Sequence, residues 1–153
     1  MMVIAKLVAT NFGIGYIRKG AGTVAALFFC LAWWLIAKDV ATSNYFLVII
    51  NLVLLLAGTW SSFVVEKEWG KDSNRVVVDE VSGMAISLLW VPVRWEYLLI
   101  AFILFRFFDI VKPLFIRRAE SLPSGWGVMA DDVLAGIYTN LIVQLLIMTA
   151  VFS

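Results

Sequence analysis

The sequence predicts an all-α fold: a small polytopic membrane helical domain over residues 1–153, with three long spans plus a broken helical hairpin at about 81–105. Three observations predict it. First, 63% of the residues are apolar and only 15% are charged, where a soluble domain has about 45–50% and about 25%. Second, mean hydropathy is +0.96, too apolar for disorder. Third, the few charges leave uncharged stretches at 20–37, 40–65, 81–93, 97–105 and 133–153. Crossing about 30 Å of hydrocarbon takes roughly 20 helical residues. The first, second and last stretches meet or approach that length, and the two short ones do not.

The elements follow in order. Residues 1–19 carry Lys6, Arg18 and Lys19 around a short apolar patch, and no cleavable signal peptide is evident. Gly13, Gly15, Gly20 and Gly22, ending in Thr23, mark the start of the first span. Glycines there permit close packing of helices or close approach of a ligand, and small-residue packing is the default reading. Lys38-Asp39 opens a tight turn to the second span. The segment 66–80 carries Lys67, Lys71 and Arg75, and 106–132 carries Arg106, Lys112, Arg117 and Arg118. By the positive-inside rule the N-terminus, 66–80 and 106–132 are cytoplasmic and 38–44 is outside. Two basic segments on one face then require 81–105 to go in and return, turning near Pro92–Glu96. The alternative is one tilted span over 81–105, which would put those segments on opposite faces. The stretch 133–153 is the last span.

Residue counts exclude some chemistry. There is no histidine, which removes imidazole acid–base work and most zinc sites. A net charge of +1 is no footprint for nucleic acid. The single cysteine, Cys30, lies in an apolar run and makes no intramolecular disulfide.

The acidic residues gather instead of scattering. Asp79-Glu80 and Asp131-Asp132 stand at the mouths of apolar helices. A carboxylate beside hydrocarbon is costly unless paired, neutralised or bound to a cation. Capping of a helix N-terminus accounts for one acid per helix, less well for two. A divalent cation such as Mg²⁺, which takes carboxylate oxygens together with phosphate oxygens, accounts for both pairs. Between them, Arg106, Asp109 and Lys112 recur at three-residue spacing and form one polar stripe, ended by Pro113. Such a stripe suits an anionic headgroup, or a self-neutralising interfacial helix whose cations snorkel. Ser124-Gly125-Trp126-Gly127 reads as a loop with an interfacial anchor, either closing on phosphate through its N–H groups or merely connecting. Glu80-x-x-Gly83 and Asp132-x-x-x-Gly136 are faintly alike.

Taken together these residues resemble the phosphatidylglycerophosphatase A family. The resemblance is carried by Asp72-Ser-Asn-Arg-Val-Val-Val-Asp79-Glu80-Val-Ser-Gly83, Phe105-Arg106-Phe-Phe-Asp109-Ile-Val-Lys112-Pro113 and Gly125-Trp-Gly127-Val-Met-Ala-Asp131-Asp132-Val-Leu-Ala-Gly136. Many members carry a proline-rich stretch ending in Pro-Gly-Thr; here Arg18-Lys19-Gly20-Ala21-Gly22-Thr23 keeps Gly-Thr without the prolines. The resemblance implies a Mg²⁺-dependent phosphatase acting on phosphatidylglycerol phosphate from the bacterial cytoplasmic membrane, in phospholipid biosynthesis. The expected metal ligands are Asp79, Glu80, Asp131 and Asp132, with Asp72 or Asp109 completing the site. Arg106 and Lys112 are expected to bind the phosphate, and Asp109 or Asp72 to take the proton of the attacking water. Two other classes compete. A CDP-alcohol phosphotransferase would need a longer Asp-Gly…Ala-Arg…Gly…Asp…Asp signature, which is absent. A cation-conducting subunit would place acids at mid-span, and 40–65 and 133–153 contain none.

Overall fold

A computed structural model describes residues 1–37, 44–71, 73–113, 115–119, 121–123 and 125–149. Asp72, together with Lys38, Asp39, Glu120 and Ser124, lies outside the described residues. The described residues form α1 (Met2–Ala9), a 3-10 turn at Ile14–Tyr16, α2 (Ala21–Ala37), α3 (Asn44–Trp69), α4 (Val78–Ser87), α5 (Trp95–Val111), α6 (Ile116–Ala119) and α7 (Gly125–Met148). The all-helical class is as the sequence predicts.

Side chains are sorted by size more than by polarity. Ala5, Ala9, Ala25, Ala26, Ala85, Ala101 and Ala135 are fully buried, while Leu52, Leu56, Ile103, Leu141 and Leu145 are more than half exposed. Small residues inside and large apolar ones outside suit a bundle surrounded by lipid, where close backbone packing holds helices together. Exposed leucine and isoleucine on this scale is foreign to a water-soluble monomer.

The expectation of three long spans needs correction. Among the described residues two helices are long and apolar enough to cross a membrane, Tyr45–Trp69 and Gly125–Met148; Ala21–Ala37 is shorter. Uncharged stretches misjudge helix ends because helices here run through charges. α3 continues past Glu66, Lys67 and Glu68 to Gly70, whose left-handed φ of 81° and N–H bond to Glu66 O stop it. α5 continues through Arg106 and Asp109. α7 starts at Gly125 and carries Asp131 and Asp132 inside it. The expected Gly125–Gly127 loop is therefore the first turn of α7. A Cβ on Gly125 would lie 2.6 Å from Thr59 O and 3.0 Å from Phe63 N, so this glycine lets α7 rest on the backbone of α3.

The hairpin is present, with unequal arms: α4 of ten residues and α5 of seventeen, joined through 88–94. α4 runs parallel to α7, which the order of their contacts shows. Gly83 meets Asp132 O and Gly136; farther along, Asn140 Nδ2 donates to Ser87 O (3.1 Å) and Leu89 O (2.8 Å), and Gln144 Nε2 donates to Leu89 O (2.9 Å). A short helix ending inside an apolar bundle leaves carbonyls without water. Here two α7 amides supply the missing donors. The tip is held by Arg94 Nη2 to Glu96 Oε1 at 3.0 Å.

Candidate active site

The site forms where α4 and α7 cross. Gly83 and Gly136 make the crossing close: a Cβ on Gly136 would strike Gly83 O, and one on Gly83 would lie 2.5 Å from the Phe105 ring. Each acidic pair sits one turn before its glycine on a parallel helix, so the pairs meet. The faint likeness between Glu80-x-x-Gly83 and Asp132-x-x-x-Gly136 is thus two halves of one contact.

Ligand oxygens of Asp79, Glu80 and Asp132 all lie within 4.8 Å of one another. Asp79 and Asp132 are buried and Glu80 is half-buried. Asp131 goes elsewhere. Its Oδ2 accepts from Lys112 Nζ at 2.7 Å, while its Oδ1 accepts from the N–H of Asp132 at 3.1 Å. Asp79 Oδ1 accepts from the N–H of Glu80 in the same manner, at 3.1 Å. On α5, Arg106 pairs with Asp109 across one turn, and Asp109 faces Asp132. The structure therefore brings seven of the eight sequence-predicted residues into one cleft of about 410 Å³. The eighth, Asp72, lies outside the described residues.

The bland readings of these residues now separate. Asp79 and Glu80 do lie in the first turn of α4, where acids meet the favourable dipole end. Asp131 and Asp132 lie almost two turns inside α7, too deep to cap it. The Arg106–Asp109–Lys112 stripe does not merely neutralise itself, because Lys112 reaches across to α7. Lys112 ends α5 with a left-handed φ of 47°, a conformation that favours glycine. A lysine held there, just before Pro113, aims its side chain back at the acids.

The sequence reading missed part of the cleft. Arg18, Lys19, Gly20, Ala21 and Gly22 line it, with Ser73 and Asn74. One signal was available: two cations directly before a helix N-terminus oppose its dipole, so capping does not explain them. Gly22 has a packing role as well. A Cβ there would collide with the Glu80 carboxylate, so α2 leaves room for Glu80 to reach the cluster.

The residues fit a divalent cation. Glu80 Oε2 and Asp132 Oδ1 are buried without a hydrogen-bond partner among the described residues. Every donor in the cluster is a carboxylate oxygen, the kind hard cations take. Carboxylates crowded this closely need a shared proton or a cation between them. The arrangement is a set of anionic oxygens beside Arg106 and Lys112, able to hold a cation and a phosphate side by side.

Comparison with known proteins agrees with this chemistry. A family model described as phosphatidylglycerophosphatase A matches residues 7–147. A protein from Bacteroides thetaiotaomicron with the provisional name phosphatidylinositol-3-phosphatase is 42% identical over 142 residues, covering 90% of this chain and 89% of that one. Phosphatidylglycerophosphatase A of Haemophilus influenzae is 38% identical over 140 residues, covering 90% and 85%. That of Escherichia coli is 30% identical over 134 residues, covering 86% and 76%. No solved structure matches the chain.

Proposed function

The chain belongs to the phosphatidylglycerophosphatase A family, and from that premise we propose that it hydrolyses the terminal phosphate monoester of phosphatidylglycerol phosphate, giving phosphatidylglycerol and phosphate, with Mg²⁺ as cofactor. The observation that carries the reading is the cluster of Asp79, Glu80 and Asp132 within 4.8 Å, in one cleft with Arg106 and Lys112.

Hydrolysing a monoester requires neutralising its charge and aligning a water. Asp79, Glu80 and Asp132 would hold the cation. When bound, Mg²⁺ supplies Lewis-acid polarisation of a phosphoryl oxygen. Arg106 and Lys112 bind the remaining phosphoryl oxygens and the charge that develops on them. Asp131 holds Lys112 in place through their 2.7 Å bond, so this acid positions a cation and need not touch metal. Asp109, beside Asp132 and paired with Arg106, is placed to take the proton of the attacking water. Asp72 remains the other candidate for that role. Arg18 and Lys19 at the rim draw in the anionic headgroup.

The domain would lie in the cytoplasmic membrane as a multi-pass protein, with α3 and α7 crossing and the α4–α5 hairpin returning to the side it came from. The Lys/Arg distribution puts the cleft on the cytoplasmic face. The family and the gathering of acids from α4, α5 and α7 in one cleft favour this reading over a phosphotransferase or an ion path. The Bacteroides relative's name supports a second headgroup, a phosphorylated inositol lipid, hydrolysed by the same monoester chemistry.

The test is phosphate release by detergent-purified protein from phosphatidylglycerol phosphate and phosphatidylinositol 3-phosphate, with Mg²⁺ or with chelator. Release from the first, abolished by chelator and reduced about 100-fold or more in Asp132→Asn, is expected. Near-wild-type rates in Asp79→Asn and Asp132→Asn would overturn the metal assignment. Cysteine labelling that puts positions 74 and 122 on opposite membrane faces would overturn the topology.

A further inference from the structure

An apolar groove lies between α2 and α5, the two helices that also contribute Gly22 and Arg106 to the cleft. The groove has a volume of about 270 Å³ and is lined by Leu27, Leu31 and Trp34 from α2 and Trp95, Leu99 and Phe102 from α5. Its floor is closed where Cys30 Sγ donates to Leu98 O at 3.8 Å. Its lips are open, since Leu27, Leu31, Trp95 and Leu99 are each about half exposed.

The groove and the cleft share helix faces. On α5, Trp95, Leu99, Phe102, Arg106 and Asp109 recur at three- and four-residue spacing, so apolar and charged residues form one stripe. On α2, Trp34, Leu31, Leu27 and Val24 ascend by the same spacing to Gly20, at the cleft. From Trp95 to Arg106 the rise is about 16 Å, close to one leaflet, about 15 Å as half of the hydrocarbon core. An amphiphile whose anionic head sits on Arg106 and Lys112 has its tail directed down this stripe.

A larger apolar groove, about 690 Å³, runs between α3 and α7 past Leu56, Trp60 and Trp126. Neither groove shares a lining residue with the cleft, but the cleft is lined from both α2 and α5 and by no residue of α3. Met129, on the wall of the larger groove, packs in one buried cluster with Val78.

We propose that the α2–α5 groove binds one acyl chain of the lipid phosphate, so that substrate slides in from the bilayer between these two helices while its headgroup turns into the cleft. The proposal rests on the lipid-phosphatase reading and adds the subsite that recognises the tail. It makes the enzyme sense chain length, and it leaves the α3–α7 groove without a part in catalysis.

The test compares phosphatidylglycerol phosphate with dioleoyl and with dihexanoyl chains in detergent micelles. Leu31→Trp fills the groove, and Leu56→Trp fills the other one. The expected result is an approximately tenfold fall in the dioleoyl-over-dihexanoyl ratio of kcat/KM in Leu31→Trp, the scale on which apolar pockets discriminate, with the ratio unchanged in Leu56→Trp. An unchanged ratio in Leu31→Trp, or a fall only in Leu56→Trp, overturns the proposal. Wild-type protein provides a second readout independent of any variant's folding. Phosphatidylglycerol phosphate carrying a diazirine on one acyl chain is photolysed on the protein and the adducts are mapped. Adducts within 24–34 and 95–102 are expected, and adducts confined to 55–63 and 126–134 overturn the groove assignment. Adducts in the expected segments without phosphate release would refute the phosphatase reading and leave the groove standing; release with adducts elsewhere would do the reverse.

Discussion

Replacing Gly136 by alanine tests how the crossing of α4 and α7 builds the site. The new Cβ would strike Gly83 O and lie 3.1 Å from Ile86 Cβ. A backbone carbonyl inside a helix does not swing aside as a side-chain tip does. Restoring a contact of about 3.5 Å requires the helices to part by something near 1 Å. Overpacking of this kind costs about 1–3 kcal/mol, and alanine returns about 1 kcal/mol of helix propensity over glycine. The net loss is about 0–2 kcal/mol, a fall in Tm of no more than roughly 8 °C at this chain size. The site suffers more, because Asp79 and Glu80 ride on α4 and Asp132 on α7. A displacement of about 1 Å at reacting groups costs about 100-fold in rate. The expected result is therefore a kcat/KM near one hundredth of wild type in a protein that still unfolds cooperatively in detergent. Initial rates of phosphate release and a thermal melt read both quantities. Gly136→Ala with wild-type kcat/KM would show that the close crossing does not set the spacing of the carboxylates.

Three further substitutions separate stability from chemistry. Asn140→Leu removes the donors to Ser87 O and Leu89 O; at about 0.6–1.7 kcal/mol for each bond in a bilayer protein, Tm falls by roughly 2–14 °C while KM for the lipid phosphate stays put, and an unchanged melt would refute the capping role. Lys112→Gly keeps the left-handed cap, which glycine adopts without strain, but removes the ammonium and leaves the buried Asp131 without its ion pair; Tm falls with the lost pair and kcat/KM falls about 100-fold, and a variant as active as wild type would remove Lys112 from phosphate binding. Gly22→Ala pushes the Glu80 carboxylate off its seat; the Mg²⁺ concentration for half-maximal activity rises about tenfold or more, as for other disturbed supports of a metal ligand, and an unshifted Mg²⁺ titration would place Glu80 outside the metal site.

Much of this site was legible because charge is so scarce. In an apolar chain, Arg106, Asp109 and Lys112 at helical spacing announce a shared face, and Pro92, Arg94 and Glu96 announce a break. Where each acid points was less legible. Adjacent residues on a helix diverge by about 100°, so Asp131 and Asp132 face different neighbours, one Lys112 and the other the cluster. Reading them as an equivalent pair overlooks that divergence. Helix ends were hidden for a related reason. Charges lying within helices, as at Asp131, Asp132 and Arg106, look from the sequence like the boundaries of spans. Glycines at 125 and 127 look like a loop, yet Gly125 serves a close approach between α7 and α3. That requirement appears only once the two helices are known to touch.

The amides that cap α4 carry a consequence for biogenesis. Asn140 and Gln144, which satisfy its terminal carbonyls, belong to the helix that emerges last from the ribosome among those described. So does Asp132 of the acid cluster. Until that helix has been inserted, the hairpin has exposed polar backbone and half a catalytic centre. Nascent chains interrupted before position 140 should therefore be inert and prone to degradation, and the enzyme becomes competent only once α7 is in place.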